Sequence, residues 1–176
     1  MKNIIYSICL VFVVSISCIQ ASSAQTFGVT GQEVSGGYNT GHHVQVWEVL
    51  PEYCTHGEYE VSVKHAAAGP KGSFYIIAWA DTNNDGKPDK EIGRSELKTA
   101  KEEGQWSSWS FTSSYERIFV GNTWKQADEK VYYKNSGSLE GYKGLSDKLF
   151  YSRSFNGTPN QSTSPRFTNI KVRLND

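Results

Sequence analysis

Cysteine is scarce in this chain, which excludes a fold held together by disulfides. The 176 residues include three cysteines, and two of them, Cys9 and Cys18, lie in an apolar stretch at the N-terminus. Once that stretch is removed as a leader, Cys54 is alone and cannot form a disulfide within the mature chain. The mature part, about 150 residues long, has the size of one domain and is long enough to bury a hydrophobic core.

An excess of charge of either sign is also lacking. The chain holds 18 basic and 18 acidic residues, so its formal net charge is zero, and the loss of Lys2 with the leader makes the mature form slightly acidic. Proteins that bind nucleic acid present a basic face. The charge balance therefore argues against a nucleic-acid partner and equally against a polybasic contact with a membrane.

Long apolar runs are missing except at the N-terminus, where residues 4–19 are nearly all apolar. Lys2 precedes this run, and small residues stand at the −3 and −1 positions before Gln25. The arrangement is typical of a secretory signal peptide. It predicts a signal peptide over residues 1–24 and a single exported domain over residues 25–176, in the extracellular space or the periplasm.

Two alternatives to a cleaved signal peptide exist for the same stretch. A membrane anchor needs about 20 apolar residues, and the run is shorter than that. A lipoprotein acylated at Cys18 is the second alternative, although the three residues before Cys18 lack the usual leucine at −3. Secretion is therefore the leading prediction, without a membrane span.

Helical periodicity is hard to find in the mature chain. Short candidate strands recur between clusters of Gly, Asn, Ser and Pro. The segment 73–80 is apolar on both faces, which predicts a central strand buried on both sides. The predicted strands are 44–50, 59–65, 73–80, 106–112, 117–120, 130–134, 148–155 and 167–174. Short strands at this spacing predict an all-β, antiparallel β-sandwich with a jelly-roll-like path.

Two segments between these strands receive other predictions. Residues 94–103 are the one modest helical candidate, with an exposed turn as the alternative. Residues 156–165 are polar and contain proline, which predicts a loop.

A run of nine residues after the buried strand carries the clearest chemical pattern. Oxygen-bearing side chains stand at its positions 1, 3, 5 and 9, namely Asp81, Asn83, Asp85 and Asp89. Gly86 at position 6 allows a tight turn, and Lys87 at position 7 would offer its backbone carbonyl. Calcium prefers six to eight oxygen ligands in this kind of arrangement.

The pattern resembles the D-x-D/N-x-D-G-x-x-D loops of dockerins and thrombospondin type 3 repeats. This resemblance implies one Ca²⁺ held by the four side chains and the carbonyl of Lys87. It differs from an EF-hand, because position 12 is Ile92 where an EF-hand has a bidentate Glu. Glu91 stands one residue early, and the flanking segment is a strand. The alternative is a polar turn without a metal ion.

Aromatic residues are abundant, with five tryptophans and ten tyrosines. Exported sandwiches with a calcium loop resemble carbohydrate-binding modules, in which aromatic rings stack on sugars and polar side chains bind the hydroxyls. Trp124, beside Asn122 at a strand end, is the candidate for an exposed ligand contact, and Trp109 is the second. Tryptophans in a sandwich more often belong to the core, as predicted for Trp79.

The leading functional prediction is a module that binds glycans or a cell-surface polymer. The alternative is a structural subunit of an extracellular assembly. A glycan hydrolase or lyase comes third, and the chain is predicted not to be an enzyme. A Gly-x-Ser-x-Gly nucleophile motif is absent, and Cys54 with His56 has the spacing of neither a cysteine protease nor a zinc site.

Overall fold

The computed structural model describes residues 24–30, 33–34, 37–39, 43–124, 130–132, 142–165 and 168–175. Within them the regular structure is strand, apart from two short 3₁₀ turns at Pro51–Tyr53 and Gly69–Gly72. The strands are β1 (Gln25–Val29), β2 (Gly37–Asn39), β3 (Val44–Val49), β4 (Gly57–Lys64), β5 (Tyr75–Ala80), β6 (Lys90–Arg94), β7 (Trp106–Ser113), β8 (Ile118–Thr123), β9 (Lys130–Tyr132), β10 (Tyr142–Lys143), β11 (Leu145–Ser152), β12 (Asn160–Pro165) and β13 (Ile170–Asn175).

Two sheets of antiparallel strands form the body of the molecule. One has the order β10-β1-β13-β4-β7 and the other the order β12-β11-β3-β8-β5-β6, and β2 pairs with β9 in a separate ribbon. The chain alternates between the two sheets as it passes from β3 to β4 to β5, and again from β7 to β8. The prediction of an all-β antiparallel sandwich is therefore confirmed.

The main core lies between the sheets. Strand β13 shows how the sequence builds it, because Ile170, Val172 and Leu174 are buried while Arg173 is exposed. On β4, next to β13, the side chains of Tyr59, Val61 and Val63 alternate in the same way. This two-residue period is the one expected for strands with one face on a core.

A second group of buried side chains lies on the opposite face of the six-stranded sheet. It comprises Val44, Val46, Ile77, Trp79, Phe119 and Phe150. Strand β5 supplies Ile76 to the main core and Ile77 and Trp79 to the second group. The prediction that this strand is buried on both sides is confirmed, as is the core position of Trp79.

Two predictions about secondary structure were wrong. Residues 94–103 form no helix, because β6 continues to Arg94 and Lys98 makes a β-bridge with Phe74. Residues 156–165 are not all loop, because Asn160–Pro165 pairs with β11 as an edge strand. Both segments are polar, and their strand geometry comes from the neighbouring strand rather than from their own residues.

The predicted signal peptide and Cys18 lie almost wholly outside the described residues, which begin at Ala24. Strand β1 starts at Gln25, the residue that follows the predicted cleavage point. No helix within the described ranges is long and apolar enough to cross a membrane.

Candidate functional site

The calcium-type loop joins β5 to β6 at one end of the sandwich. It leaves the sheet at Ala80, and its last residue, Asp89, donates its backbone N–H to the carbonyl of Ala80 at 3.0 Å. At its start, the N–H of Asp81 donates to the carbonyl of Arg117 at 3.2 Å. These two bonds close the base of the loop and fix it to the beginning of β8.

Asp81 is the centre of the loop. Its Oδ1 accepts the N–H groups of Asn84 at 2.7 Å and Asp85 at 3.2 Å, and its Oδ2 accepts the N–H of Gly86 at 2.8 Å. Asn84 and Gly86 have positive φ values of 66° and 83°. This left-handed backbone, which Asn and Gly tolerate best, turns the three N–H groups towards one carboxylate.

A guanidinium group completes the surroundings of that carboxylate. Arg117 Nη1 lies 3.1 Å from Asp81 Oδ2, and Arg117 Nε lies 2.9 Å from Glu48 Oε1. The Asp81 side chain is fully buried, whereas one third of the Arg117 side chain is exposed. Arg117, just before β8, thus bridges Glu48 of β3 and Asp81 after β5, the strands on either side of β8, and presents one edge to solvent.

The two carboxylates respond to this environment in opposite directions. Burial works to raise the pKa of Asp81, but the N–H bonds of the loop and the bond from Arg117 outweigh burial, so the pKa lies below its ordinary value. For Glu48, burial prevails over the attraction of Arg117 and raises the pKa. Relative to an ordinary carboxyl group, Asp81 therefore favours its charged form and Glu48 its neutral form.

The remaining residues of the predicted metal site are bonded within the loop. Asn83 Oδ1 accepts the N–H of Asp85 at 3.1 Å, and Asp85 Oδ1 accepts the N–H of Lys87 at 2.9 Å. Asp89 accepts the N–H and the hydroxyl of Thr82 at 2.9–3.0 Å.

Glu91, the next carboxylate along the chain after Asp89, forms an ion pair with Arg94. In the part of the chain that the structure describes, no three acidic, His or Cys side chains converge as a group that could hold a metal ion.

Two clefts adjoin the loop. The larger, about 500 Å³, lies between residues 81–84 of the loop and residues 114–117, which connect β7 to β8. The smaller, about 340 Å³, is lined by Pro51, Cys54 and His56 and shares Asn84, Glu116 and Arg117 with the first. Residues 114–117 were not predicted as part of a site, although this short polar segment between two predicted strands was a signal for an exposed connection near a strand end.

Tyr115 is the aromatic residue of the larger cleft. Lys90 Nζ donates to its hydroxyl at 2.9 Å, and the carbonyl of Tyr115 accepts the Cys54 thiol at 3.5 Å. Burial raises the pKa of Cys54, which keeps this thiol protonated and disfavours a thiolate nucleophile beside the cleft. The cleft therefore combines one ring with donors and acceptors of hydrogen bonds.

The predicted aromatic contacts do not form part of this site. Trp124 is 1% exposed, so the expectation that it is an exposed side chain was wrong, and Asn122 is equally buried. The inward face of β8 includes Ile118, Val120 and Asn122, and Trp124 continues that alternation. Residues two apart on a strand share a face, so Trp124 follows the core residues inward.

Trp109 lies elsewhere, on the edge strand β7. It is half-buried, and its ring stacks on Phe111 with centroids 5.0 Å apart and planes 16° apart. It also contacts Gly93 of β6, where a Cβ would stand 2.6 Å from the tryptophan ring. Trp109 therefore covers the open side of the sandwich between two edge strands and keeps part of its surface exposed.

Comparison with known proteins finds no matching family model, no matching curated protein and no matching solved structure.

Proposed function

We propose that this chain is an exported calcium-binding β-sandwich that binds a glycan or cell-surface polymer at the end carrying the 81–89 loop. The observation that carries the proposal is the larger cleft, where a backbone-tethered acidic loop faces the polar connection 114–117 around one tyrosine. Rigid strands hold both walls, which is the setting in which loops make good binding sites.

The chemistry of the cleft suits a polyhydroxylated ligand. Each sugar hydroxyl both donates and accepts a hydrogen bond, so a glycan site needs donors and acceptors side by side. Arg117 offers donors, Glu116 offers acceptors, and Asn84 offers both. The ring of Tyr115 supplies the apolar face on which a sugar ring stacks. Tyr115 thus takes the role that was predicted for Trp124.

Calcium would bind at the same end through Asp81, Asn83, Asp85, Asp89 and the carbonyl of Lys87. The four side chains already lie within nine residues of chain, and the lowered pKa of Asp81 favours its charged form. To take the ion, Asp81 would exchange its bond from Arg117 for the metal, and Asp89 would exchange its bonds from Thr82. Calcium affinity is therefore expected to be modest, as suits an exported protein in a calcium-rich setting.

Calorimetric titration and thermal melts with calcium or EGTA test the metal site. Calcium at a hundredfold excess over its dissociation constant is expected to stabilise the fold by about 2.7 kcal/mol. Asp85→Asn should abolish this gain, whereas Asp147→Asn, which alters an exposed carboxylate on β11, should retain it. A wild-type melt that calcium leaves unchanged, with no heat of binding, would refute the metal site.

Affinity electrophoresis on a panel of soluble polysaccharides tests the cleft. Tyr115→Ala is expected to weaken retardation by about 2 kcal/mol, the loss typical of an aromatic hot spot. Trp106→Ala is the matched control, because Trp106 lies at the opposite end of β7 from residue 114. Retardation by no polysaccharide, or equal weakening by both variants, would count against the cleft.

A further inference from the structure

The outer strands of the two sheets differ in how well they are protected from pairing with another chain. Natural proteins shield edge strands by shortness, charge or proline. Strand β10 has two residues, and β12 ends at Pro165. Strand β6 carries Lys90, Glu91 and Arg94 within five residues. Three of the four edges thus have a recognised protection.

Strand β7 is the fourth edge, and it has none of these protections. Its eight residues, Trp106–Ser113, include no charged residue, no proline and no glycine. Within the described residues it pairs with β4 along one side and with no strand along the other. An edge strand exposes the N–H and C=O groups of every second residue, so one side of β7 offers a row of backbone donors and acceptors.

The side chains on both faces of β7 are also compatible with a further strand added beside it. Ser108, Ser110 and Thr112 are exposed on the outer face, and all three carry hydroxyls. On the inner face, Trp109 and Phe111 form a stacked pair that is half-buried at the open side of the sandwich. A strand added beside β7 would remove the rest of this aromatic surface from water, which is favourable in proportion to its area.

We propose that β7 pairs antiparallel with β7 of a second copy of this chain, which joins the two five-stranded sheets into one sheet of ten strands. A two-fold axis perpendicular to the sheet passes through the pair. Because the same strand meets itself, the contact closes on two copies and leaves no free end for further growth.

The side chains of β7 are complementary to themselves in this arrangement. The centre of the eight-residue strand lies between Trp109 and Ser110, so pairing along its length places the axis beside one of these two residues. Directly opposed residues of antiparallel strands point to the same face. In both registers hydroxyls meet hydroxyls or a ring on the outer face, and no charge opposes another. The pair Ser62 Oγ–Ser108 Oγ, at 2.7 Å, already shows this type of contact between β4 and β7.

A second copy fits this edge better than a charged peptide partner. No side chain of β7 itself is charged, and the carboxylates of Glu58 and Glu60 on the same face belong to β4, one strand further from the edge. Pairing at the edge therefore relies on backbone bonds and aromatic burial. Both are supplied in full by another β7. Pairing would also cover the half-buried stack of Trp109 and Phe111 at this edge.

Sedimentation equilibrium of the purified chain, over a wide range of concentration, tests this proposal. The wild type is expected to show twice the mass of one chain and to dissociate on dilution. Ser110→Glu brings two carboxylates to the seam, directly opposed in the register centred on Ser110 and diagonal in the register centred on Trp109. Each also lies beside Glu60 of its own β4, so the repulsion is not neutralised, and the variant should weaken self-association at least tenfold. Gln161→Glu, on the exposed part of β12, is the matched control and should leave the mass doubled.

Thermal melts and far-ultraviolet circular dichroism of both variants show whether the monomer still folds. If Ser110→Glu proves unfolded, Ser110→Asp replaces it at the same position with the same expected weakening. A wild type that stays monomeric at its highest soluble concentration would overturn the proposal. So would a dimer that a folded acidic variant at residue 110 leaves intact, or wild-type polymers larger than two chains. Loss of polysaccharide binding would not bear on it, because the cleft lies beyond the end of β7.

Discussion

Asp81 stabilises the loop through five hydrogen-bonding partners, which bond to its carboxylate or to its backbone N–H. Three N–H groups of the loop and Arg117 bond to its two oxygens. The N–H of Asp81 bonds to the carbonyl of Arg117 at the start of β8. A buried carboxylate is stable only when such partners replace water. The shape of the loop is thus set by one ionised side chain.

This dependence predicts a pH effect. The pKa of Asp81 is lower in the folded chain than in the unfolded one, because its hydrogen bonds outweigh its burial. Its contribution to stability is therefore fully present above the ordinary carboxyl pKa and is lost as the pH falls through the folded value. Urea unfolding at a series of pH values without calcium should show this acid loss.

The variant Asp81→Asn should remove that part of the pH dependence. At neutral pH it is expected to cost about 2 kcal/mol, since Arg117 is partly exposed and keeps Glu48 as a partner. Asp147→Asn changes an exposed carboxylate and should leave the acid profile as in the wild type. An Asp81→Asn protein as acid-sensitive as the wild type would contradict the role of this carboxylate.

At the scale of single residues, the sequence predicts which groups are chemically useful but not where they point. The nine-residue loop was recognisable because all its oxygens are local. Arg117, which bridges Asp81 and Glu48, lies 36 residues away in sequence and reaches the loop only through pairing of β5 with β8. Trp124 was misplaced for a related reason, since the alternation of β8 continues one residue past its last paired residue.

At the scale of elements, β8 is the strand on which the six-stranded sheet depends. It lies between β3 and β5, and all six of its residues are buried. Gly121 lets β3 approach closely, because a Cβ built there would lie 1.9 Å from the backbone carbonyl oxygen of Gln45. A backbone atom in a paired strand cannot move aside as a flexible side chain can.

Gly121→Ala is therefore expected to destabilise the fold by about 3 kcal/mol, at the upper end for overpacking of a core. Gly69→Ala is not a matched control, because Gly69 has a positive φ. Gly57→Ala on β4 is a suitable control, since the atom nearest to an added Cβ is Leu174 Cδ1, 3.7 Å away. Chemical denaturation of the two variants should show a large loss for Gly121→Ala and a small change for Gly57→Ala. Equal midpoints would contradict the steric argument.

Strands with their own apolar pattern were predictable, whereas strands that follow a neighbour were not. Segment 73–80 was recognised from apolar residues on both faces, and 167–174 from strict alternation. Strands β6 and β12 are polar edge strands that pair along one side only. Their sequences resemble loops because no core face demands apolar residues at every second position.

At the scale of the whole molecule, the two ends of the domain lie side by side in one sheet. Strand β1 lies between β10 and β13, and its residues Gln25–Gly28 pair with Leu174–Lys171. Phe27 and Val29 are buried in the core. The predicted cleavage point directly precedes β1, so removal of residues 1–24 would spare every residue of this interior strand.

The domain boundary can therefore be tested by truncation. A chain that begins at Gln25 is expected to unfold cooperatively, with the stability of the whole sandwich domain. A chain that begins at Thr30 loses two buried side chains, worth about 1.5–3 kcal/mol each. It also loses the backbone hydrogen bonds to β10 and β13, which exposes the edge of β13 beside Val172 and Leu174 to water. Because small domains are stable by only about 5–15 kcal/mol, this loss should abolish the cooperative thermal transition. Differential scanning calorimetry of the two chains tests this expected loss of the cooperative transition. A cooperative melt of the shorter chain would instead place the boundary of the domain after β1.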